Sequence, residues 1–373
     1  SKGGCHMARD IPVGNGNLLV TFDRFYQIRD LYFPHVGQEN HNQDATCRFG
    51  VWCDGRFSWM GPDWEVRLDY EPETLVTHVT CVHKEFQINL ECADCVDFYE
   101  NVYLRHITVS NLSSRKRDVR LFLSHDFNLY GTKVGDTAFY DPATTSVIHY
   151  KARRYLLVNC CNPNHCGVDE YTCGSKEVRG LEGTWRDAED GALAGGPIAQ
   201  GTVDSTIAMR VPLDARGQAV VYYWIAAGRT YHEVQQINQA VLDKTPDVLM
   251  TRTRNYWRLY VNKEEFNFEG VPEDVVWLFK RSQLILRTQI DNEGAILAAN
   301  DSDIVGVSRD TYSYCWPRDG ALAAYALVKA GHSGISRRFF DFCSGIIHQD
   351  GYFLHKYNPD RSLASSWHPW IED

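Results

Sequence analysis

Residues 219–230 read Ala219-Val220-Val221-Tyr222-Tyr223-Trp224-Ile225-Ala226-Ala227-Gly228-Arg229-Thr230, and the character of the chain changes across them. From about residue 11 up to Ala227, apolar and polar residues alternate in short runs broken by Gly, Asn, Asp and Pro, the period of half-buried strands. Gly16-Asn17-Leu18-Leu19-Val20-Thr21-Phe22-Asp23 is one such run, and Val102-Tyr103-Leu104-Arg105-His106-Ile107-Thr108-Val109 is another. Residues 49–57 predict a hairpin that turns on Asp54-Gly55. Residues 162–201, rich in Gly, Asn and Asp, read as a long loop region.

Past the Gly228-Arg229-Thr230 turn the spacing is helical. Thr230 caps a predicted helix over 231–242, and Pro246 opens a second through 260. From Pro272 onward Val275, Val276, Leu278, Phe279, Leu284 and Leu286 recur at helical spacing, and further helices are expected over 317–330, stopped at Gly331, and over about 336–347. An all-β half followed by an all-α half is the pattern of separate domains. The expected architecture is a multidomain β-then-α chain: a large antiparallel β-sandwich over 7–228, linker helices over 229–270, and a helical part over 271–373.

The length of 373 residues exceeds what one core usually serves, and 44% apolar content is ample to fill two. A net charge of −10, with Lys and Arg scattered along the chain, excludes nucleic acid and anionic membrane as expected partners. No apolar run of about eighteen residues occurs, and residues 1–9 lack the apolar core of a secretory signal, so a cytoplasmic protein is expected. Twelve Cys without such a signal predict reduced thiols. Cys92 with Cys95, and the cluster Cys160, Cys161, His165, Cys166 and Cys173, carry the residue types of a zinc site. Against zinc, Cys92 and Cys95 sit three apart in a strand, where side chains point to opposite faces, and neither metal nor cofactor is expected.

The densest chemistry lies in Asp310-Thr311-Tyr312-Ser313-Tyr314-Cys315-Trp316-Pro317-Arg318-Asp319-Gly320. If the stretch to Trp316 is extended, Tyr312, Tyr314 and Trp316 share one face, and Pro317 suits the first turn of a helix. Arg318 and Asp319 then stand at the mouth of an aromatic wall, where a guanidinium and a carboxylate can grip vicinal hydroxyls of a pyranose. The competing reading is an aromatic strand in a core, with Arg318 and Asp319 paired at a helix start. Aromatic abundance, 10 Trp and 20 Tyr, fits sugar stacking and an aromatic-rich sandwich alike.

Tyr-x-Tyr-x-Trp-x-Arg-Asp at 312–319 resembles the sugar-binding segment of the glucoamylases of glycoside hydrolase family 15. The opening residues 8–17 and the segment Phe33-Pro34-His35-Val36-Gly37-Gln38-Glu39-Asn40-His41 resemble the start of the prokaryotic branch. The resemblance implies a β-supersandwich, linker helices and the first helices of an (α/α)6 barrel. It implies an exo-acting, inverting α-glucoside hydrolase that releases glucose from non-reducing ends of α-glucans or gluco-oligosaccharides. Arg318 and Asp319 would hydrogen-bond the terminal glucose, Tyr312 would lie near the glycosidic oxygen, and Tyr314 and Trp316 would complete the wall. Ser365-Ser366-Trp367 resembles a Gly-Ser-Trp segment, making Trp367 a further substrate-binding candidate.

Inversion needs a carboxylic acid and a carboxylate base about 6.5–9.5 Å apart. The resemblance puts both beyond Asp373, so no catalytic residue is expected here; Glu293, Asp301, Glu372 and Asp373 match no catalytic context. Alternatives are a truncated glucan-binding protein, one whose barrel a second polypeptide completes, a trehalase-type specificity, and a sugar phosphorylase, which would need a basic phosphate pocket.

Overall fold

The structure is a computed structural model that describes residues 9–43, 45–300 and 310–364. Seventeen strands precede the described α-helices. Strands β1 (Arg9–Gly14), β2 (Leu19–Asp23) and β3 (Ile28–Tyr32) form a three-stranded sheet. A five-stranded sheet runs β14 (Glu170–Ser175), β16 (Val203–Arg210), β10 (Val119–His125), β4 (Arg48–Cys53), β5 (Arg56–Trp59). A nine-stranded sheet runs β15 (Ile198–Gly201), β11 (Asp136–Asp141), β12 (Ser146–Lys151), β13 (Arg154–Cys161), β17 (Gln218–Gly228), β9 (Val102–Asn111), β8 (Ile88–Val96), β7 (Thr77–His83), β6 (Glu65–Tyr70). Neighbouring strands are antiparallel.

The expected hairpin is β4–β5, with Asp54 and Gly55 both at positive φ (48° and 87°), the turn whose twist matches that of its strands. The five- and nine-stranded sheets face each other across a core that includes polar bridges. His149 of β12 meets Ser205 of β16 (Nε2 to Oγ 2.7 Å), and His125 of β10 meets the Tyr223 hydroxyl of β17 (2.8 Å).

The 162–201 region departs from its reading as loop, since β14 and β15 lie within it. Both are edge strands, β14 pairing with β16 and β15 with β11. Both are short, and Glu170-Tyr171-Thr172-Cys173-Gly174-Ser175 and Ile198-Ala199-Gln200-Gly201 carry one large apolar or aromatic residue each, too few for an alternating signal. The reduced-thiol expectation also needs correction at one pair: Cys161 and Cys166 form a disulfide across the turn after β13. Nine other cysteines, Cys92, Cys95, Cys160 and Cys173 among them, are free and buried. Burial pushes the Cys92 and Cys173 thiols up to about 12. Among the described residues no group of His, Cys, Asp and Glu is arranged to hold a metal ion.

Helices α1 (Tyr231–Lys244) and α2 (Pro246–Val261) start where Thr230 and Pro246 predict. Thr230 Oγ1 accepts the Glu233 N–H at 3.2 Å, satisfying one of the four N–H groups a helix start leaves over. Both helices lie on the outer face of the nine-stranded sheet: Asn238 of α1 accepts from Trp224 Nε1 (3.0 Å) and Asn159 (3.1 Å), and Arg252 of α2 pairs with buried Asp97 (2.6 Å). Helices α3 (Glu273–Arg287), α4 (Pro317–Lys329) and α5 (Ser333–Ile346) follow. No described helix is long and apolar enough to cross a membrane. Trp277 and Leu278 of α3, and Leu322 and Tyr325 of α4, are each more than half exposed (56–70%), an unusual amount of large apolar surface for two helices.

Candidate functional site

The segment from Asp310 to Trp316 is fixed by backbone pairing on both sides. Ala298 and Ala299 donate to the carbonyls of Tyr314 (3.0 Å) and Tyr312 (3.2 Å), while Cys315 exchanges two hydrogen bonds with Tyr357 (2.9 and 3.0 Å). Ser313 and Cys315 are buried, and the Tyr314 N–H bonds the Tyr312 carbonyl (2.7 Å), a tight turn at Ser313, so the segment is not extended throughout. Trp316 remains extended (φ −96°, ψ 118°) and Pro317 opens α4. Gly320 permits close helix packing: a Cβ there would lie 2.4 Å from the Phe339 ring of α5.

The three rings gather, around that turn and not along one face of an extended strand. Tyr312 and Trp316 have centroids 6.2 Å apart, and Tyr314 meets Trp316 edge-on at 5.9 Å. Trp316 is buried and Tyr312 is 43% exposed, so the cluster has an inner and an outer member. Arg318 and Asp319, on the first turn of α4, pair with each other at 2.9 Å and are largely exposed. The structure thus puts a guanidinium–carboxylate pair one helical turn from an aromatic cluster. Trp367, and the carboxylates Asp301, Glu372 and Asp373, lie outside the described residues. Glu293 lies in the turn after α3, its N–H bonded to Asp291 (2.8 Å).

Sequence reasoning passed over Asp310, His355 and Lys356 as site residues. Asp310 accepts from the Tyr314 hydroxyl (2.7 Å) and from Lys356 Nζ (3.0 Å). The Lys356 side chain is buried, its ammonium 4.1 Å from the Tyr314 ring centroid, and the Trp316 indole N–H faces His355 Nε2 at 3.4 Å. A buried ammonium is tolerable only when paired, and here a carboxylate and the face of an aromatic ring supply the pairing. Residues 355 and 356 reach the cluster through the Cys315–Tyr357 bridge, a long-range contact that leaves no local pattern.

The strand region contributes the 33–41 loop. His35 Nδ1 and the Val36 N–H contact the Asp291 carboxylate at 3.2 Å, and Gln38 bonds Asp360 at 2.8 Å. Burial works against a charged His35, but the hydrogen bond and charge of Asp291 outweigh it and raise the imidazole above its usual range. Gly37 has φ +81°, and a Cβ on it would fall 2.1 Å from Asn300 Oδ1 and 3.1 Å from Ser313 Cβ. Gly37→Ala is therefore expected to cost about 1–3 kcal/mol from the left-handed backbone and the clash together. Urea unfolding checks this, and an unchanged midpoint would mean that the loop stands off from Leu297, Asn300 and Ser313.

Chemically, the cluster offers apolar ring faces, a fork of N–H donors and a carboxylate acceptor, the groups that bind a polyhydroxylated ring. The carboxylates of Asp310 and Asp319 are held in ion pairs with Lys356 and Arg318.

No protein-family model matches the chain. An uncharacterized glycosyl hydrolase of Methanocaldococcus jannaschii is 25% identical over 355 residues, covering 92% of this chain and 54% of the relative. A bacterial glucoamylase solved in complex with acarbose superposes with a TM-score of 0.73 over 98% of this chain and 55% of its own, at 15% identity. A kojibiose phosphorylase, described as putative and from the human microbiome, superposes at a TM-score of 0.45 over 74% of this chain and 39% of its own, at 7% identity, a likeness too loose to carry an argument. The chain has the fold of the matching part of the glucoamylase, and it spans about half the length of the proteins it matches.

Proposed function

We propose that this chain is the sugar-gripping part of a glucoamylase-type glycoside hydrolase that releases glucose, with inversion, from non-reducing ends of α-glucans or gluco-oligosaccharides in the cytoplasm. Residues 7–228 form its sandwich domain, 229–270 its linker helices, and 271–373 a portion of its helical barrel. Arg318 and Asp319 hydrogen-bond the terminal sugar, Tyr312, Tyr314 and Trp316 form the wall beside it, and Trp367 joins them. No acid or base is assigned to these residues. The observation that carries the reading is the gathering of the three rings one turn from the Arg318–Asp319 pair, in a chain with glucoamylase fold.

The exposed apolar residues of α3 and α4 favour a companion reading, in which this chain acts together with further helical polypeptide that covers Trp277, Leu278, Leu322 and Tyr325. Under either reading the chain itself binds sugar.

Titration of the purified chain with acarbose and with maltose, followed by tryptophan fluorescence and calorimetry, tests the binding. Arg318→Ala and Asp319→Ala are each expected to weaken it roughly 30-fold, about 2 kcal/mol, the scale of a lost charged hydrogen bond. Competition by trehalose or isomaltose would set the linkage preference. No binding by the parent chain, or binding by both variants as tight as the parent's, would overturn the proposal.

A further inference from the structure

The turn around which the three rings gather has the strand region at its back. Ser313, within that turn, is 2% exposed, and a Cβ on Gly37 would fall 3.1 Å from its Cβ, 2.7 Å from Leu297 Cδ1 and 2.1 Å from Asn300 Oδ1. Ala298 and Ala299 are the backbone neighbours of Tyr314 and Tyr312 on one side of the segment, and Tyr357 is the neighbour of Cys315 on the other. Gln38 reaches that second side. Its amide nitrogen donates to Asp360 Oδ2 (2.8 Å) and its amide oxygen accepts the Asp360 N–H (3.2 Å), in the turn that carries the chain from Tyr357 back to Leu363. Gly37 and Gln38 therefore touch the turn and both its flanks. Just before them, His35 and Val36 hold Asp291, in the turn after α3 that leads into residues 296–299.

This tip stands on a firm root. Glu39 takes Arg154 of β13 in two parallel hydrogen bonds (2.6 and 2.8 Å). His41 spans the Phe33 carbonyl (2.7 Å) and the Tyr130 N–H (3.1 Å), so both its ring nitrogens are engaged. Residues that grip a ligand keep their geometry only as well as the shell behind them is held, and behind the turn at Ser313 that shell is a loop of the strand region.

His35 is the titrating member of the tip. Its side chain is 14% exposed and faces the fully buried Asp291 carboxylate at 3.2 Å. Among the described residues, Glu293 of the same turn and Asp360 from beyond the aromatic segment add negative charge around it, and Arg287 at the end of α3 is the cation on the side of Asp291. Burial opposes charge on the ring, but the carboxylates outweigh it and raise His35 above its usual range. Unfolded, the ring would titrate near 6.5, so the pair is complete below about pH 6.5 and is lost as the pH rises through the raised folded value.

We propose that the 35–38 tip is a positioning element of the sugar site, in which His35 and Gln38 hold the turn at Ser313 through Asp291 and Asp360 and so set the affinity for an α-glucoside. The inference rests on the reading of residues 312–319 as that site. When the tip loosens, only a fraction of the chains present the rings in binding geometry, and the apparent Kd rises by that fraction. Affinity then follows the charge of His35, although His35 acts without touching the sugar.

The experiment is calorimetric titration of the full chain with acarbose from about pH 6 to 9, in the parent, Asp319→Ala, His35→Gln, Gln38→Glu and the double variant Gln38→Glu with Asp360→Asn. The parent is expected to bind about fivefold more weakly at the alkaline end, the scale of one net hydrogen bond. His35→Gln, which takes up no proton in this range, should bind weakly throughout, without that slope. Gln38→Glu sets two carboxylates against each other and should weaken binding about fivefold. Asp360→Asn in the same chain faces the introduced carboxylate with an amide donor and should restore the parent's affinity, which a general loosening of the fold would not allow. If Gln38→Glu binds like the parent, if the double variant is not restored, or if His35→Gln and the parent share one pH profile, the loop only packs and the inference falls, while a weakened Asp319→Ala keeps the reading of 312–319. If the parent binds no acarbose, or Asp319→Ala binds as tightly as the parent, that reading falls and the inference with it.

Discussion

Asp94→Ala is expected to lower the stability of the strand region by about 3–5 kcal/mol, the cost of breaking a buried ion pair by removing one partner. Asp94 and Arg105 are directly paired across β8 and β9, their side chains are 0% and 1% exposed, and Arg105 Nε donates to Asp94 Oδ1 at 2.7 Å. The carboxylate also accepts from the hydroxyls of Tyr26 and Tyr103 and from Thr77 Oγ1 (2.6 Å). Deleting it would strand a guanidinium enclosed by the rings of Tyr26, Phe22, Phe49 and Tyr103, at 4.1–5.9 Å from their centroids. Cation–π contacts soften that loss, but those available even when desolvated are worth about 2 kcal/mol, less than a buried carboxylate partner. Urea unfolding by circular dichroism measures the effect; a loss below about 1 kcal/mol would mean that water reaches Arg105.

Acid should destabilise the protein strongly between pH 6.5 and 4.5. Burial pushes His125 down to about 3 and His41 down to about 4, and it drives His149 well below its usual range, aided by the charges of His125 and Lys176. Unfolded, each would titrate near 6.5. With folded values depressed, the unfolded chain binds more protons in this window, so stability is complete above about pH 6.5 and is lost as pH falls towards 4 and 3. Two pH units correspond to about 2.7 kcal/mol per histidine. Asp204 acts in the opposite sense. Burial raises it to about 6, so its protonation adds stability as pH falls below 6, by about 2 kcal/mol at pH 4.5. His125 and His41 less the gain at Asp204 leave a net loss of about 3 kcal/mol, and His149 adds to it in the same direction, a large share of the stability of many domains. Urea midpoints at pH 7 and 4.5 check this, and equal midpoints would show that the sandwich core admits protons without opening.

How much of this was legible in the sequence depended on whether the signal was local. The hairpin at Asp54-Gly55, the cap at Thr230 and the proline at 246 are short-range devices, and each produces its element where expected. Period-two spacing puts Tyr312, Tyr314 and Trp316 on one face of an extended stretch; the rings do gather, but around a tight turn in which the Tyr314 N–H bonds the Tyr312 carbonyl (2.7 Å). Edge strands β14 and β15 escaped because an edge needs little alternation. The Cys161–Cys166 bond escaped because composition argued from compartment, whereas the turn after β13 brings the two residues opposite each other.

By itself, then, the sequence determined the order of strands and helices, the place where one gives way to the other, and an aromatic segment leading into a helix with Arg318 and Asp319 on its first turn. All of these follow from backbone preferences and side-chain periodicity within a few residues. Tertiary structure alone decided which polar groups are buried together. Arg105 faces the core because the β8–β9 register sets Asp94 opposite it, Lys356 is buried because Asp310 and Tyr314 meet it across the Cys315–Tyr357 bridge, and Arg48 aligns with Ser124 through the pairing of β4 with β10. Charge compensation in a low-dielectric interior acts between atoms a few ångströms apart in space, however far apart they lie along the chain.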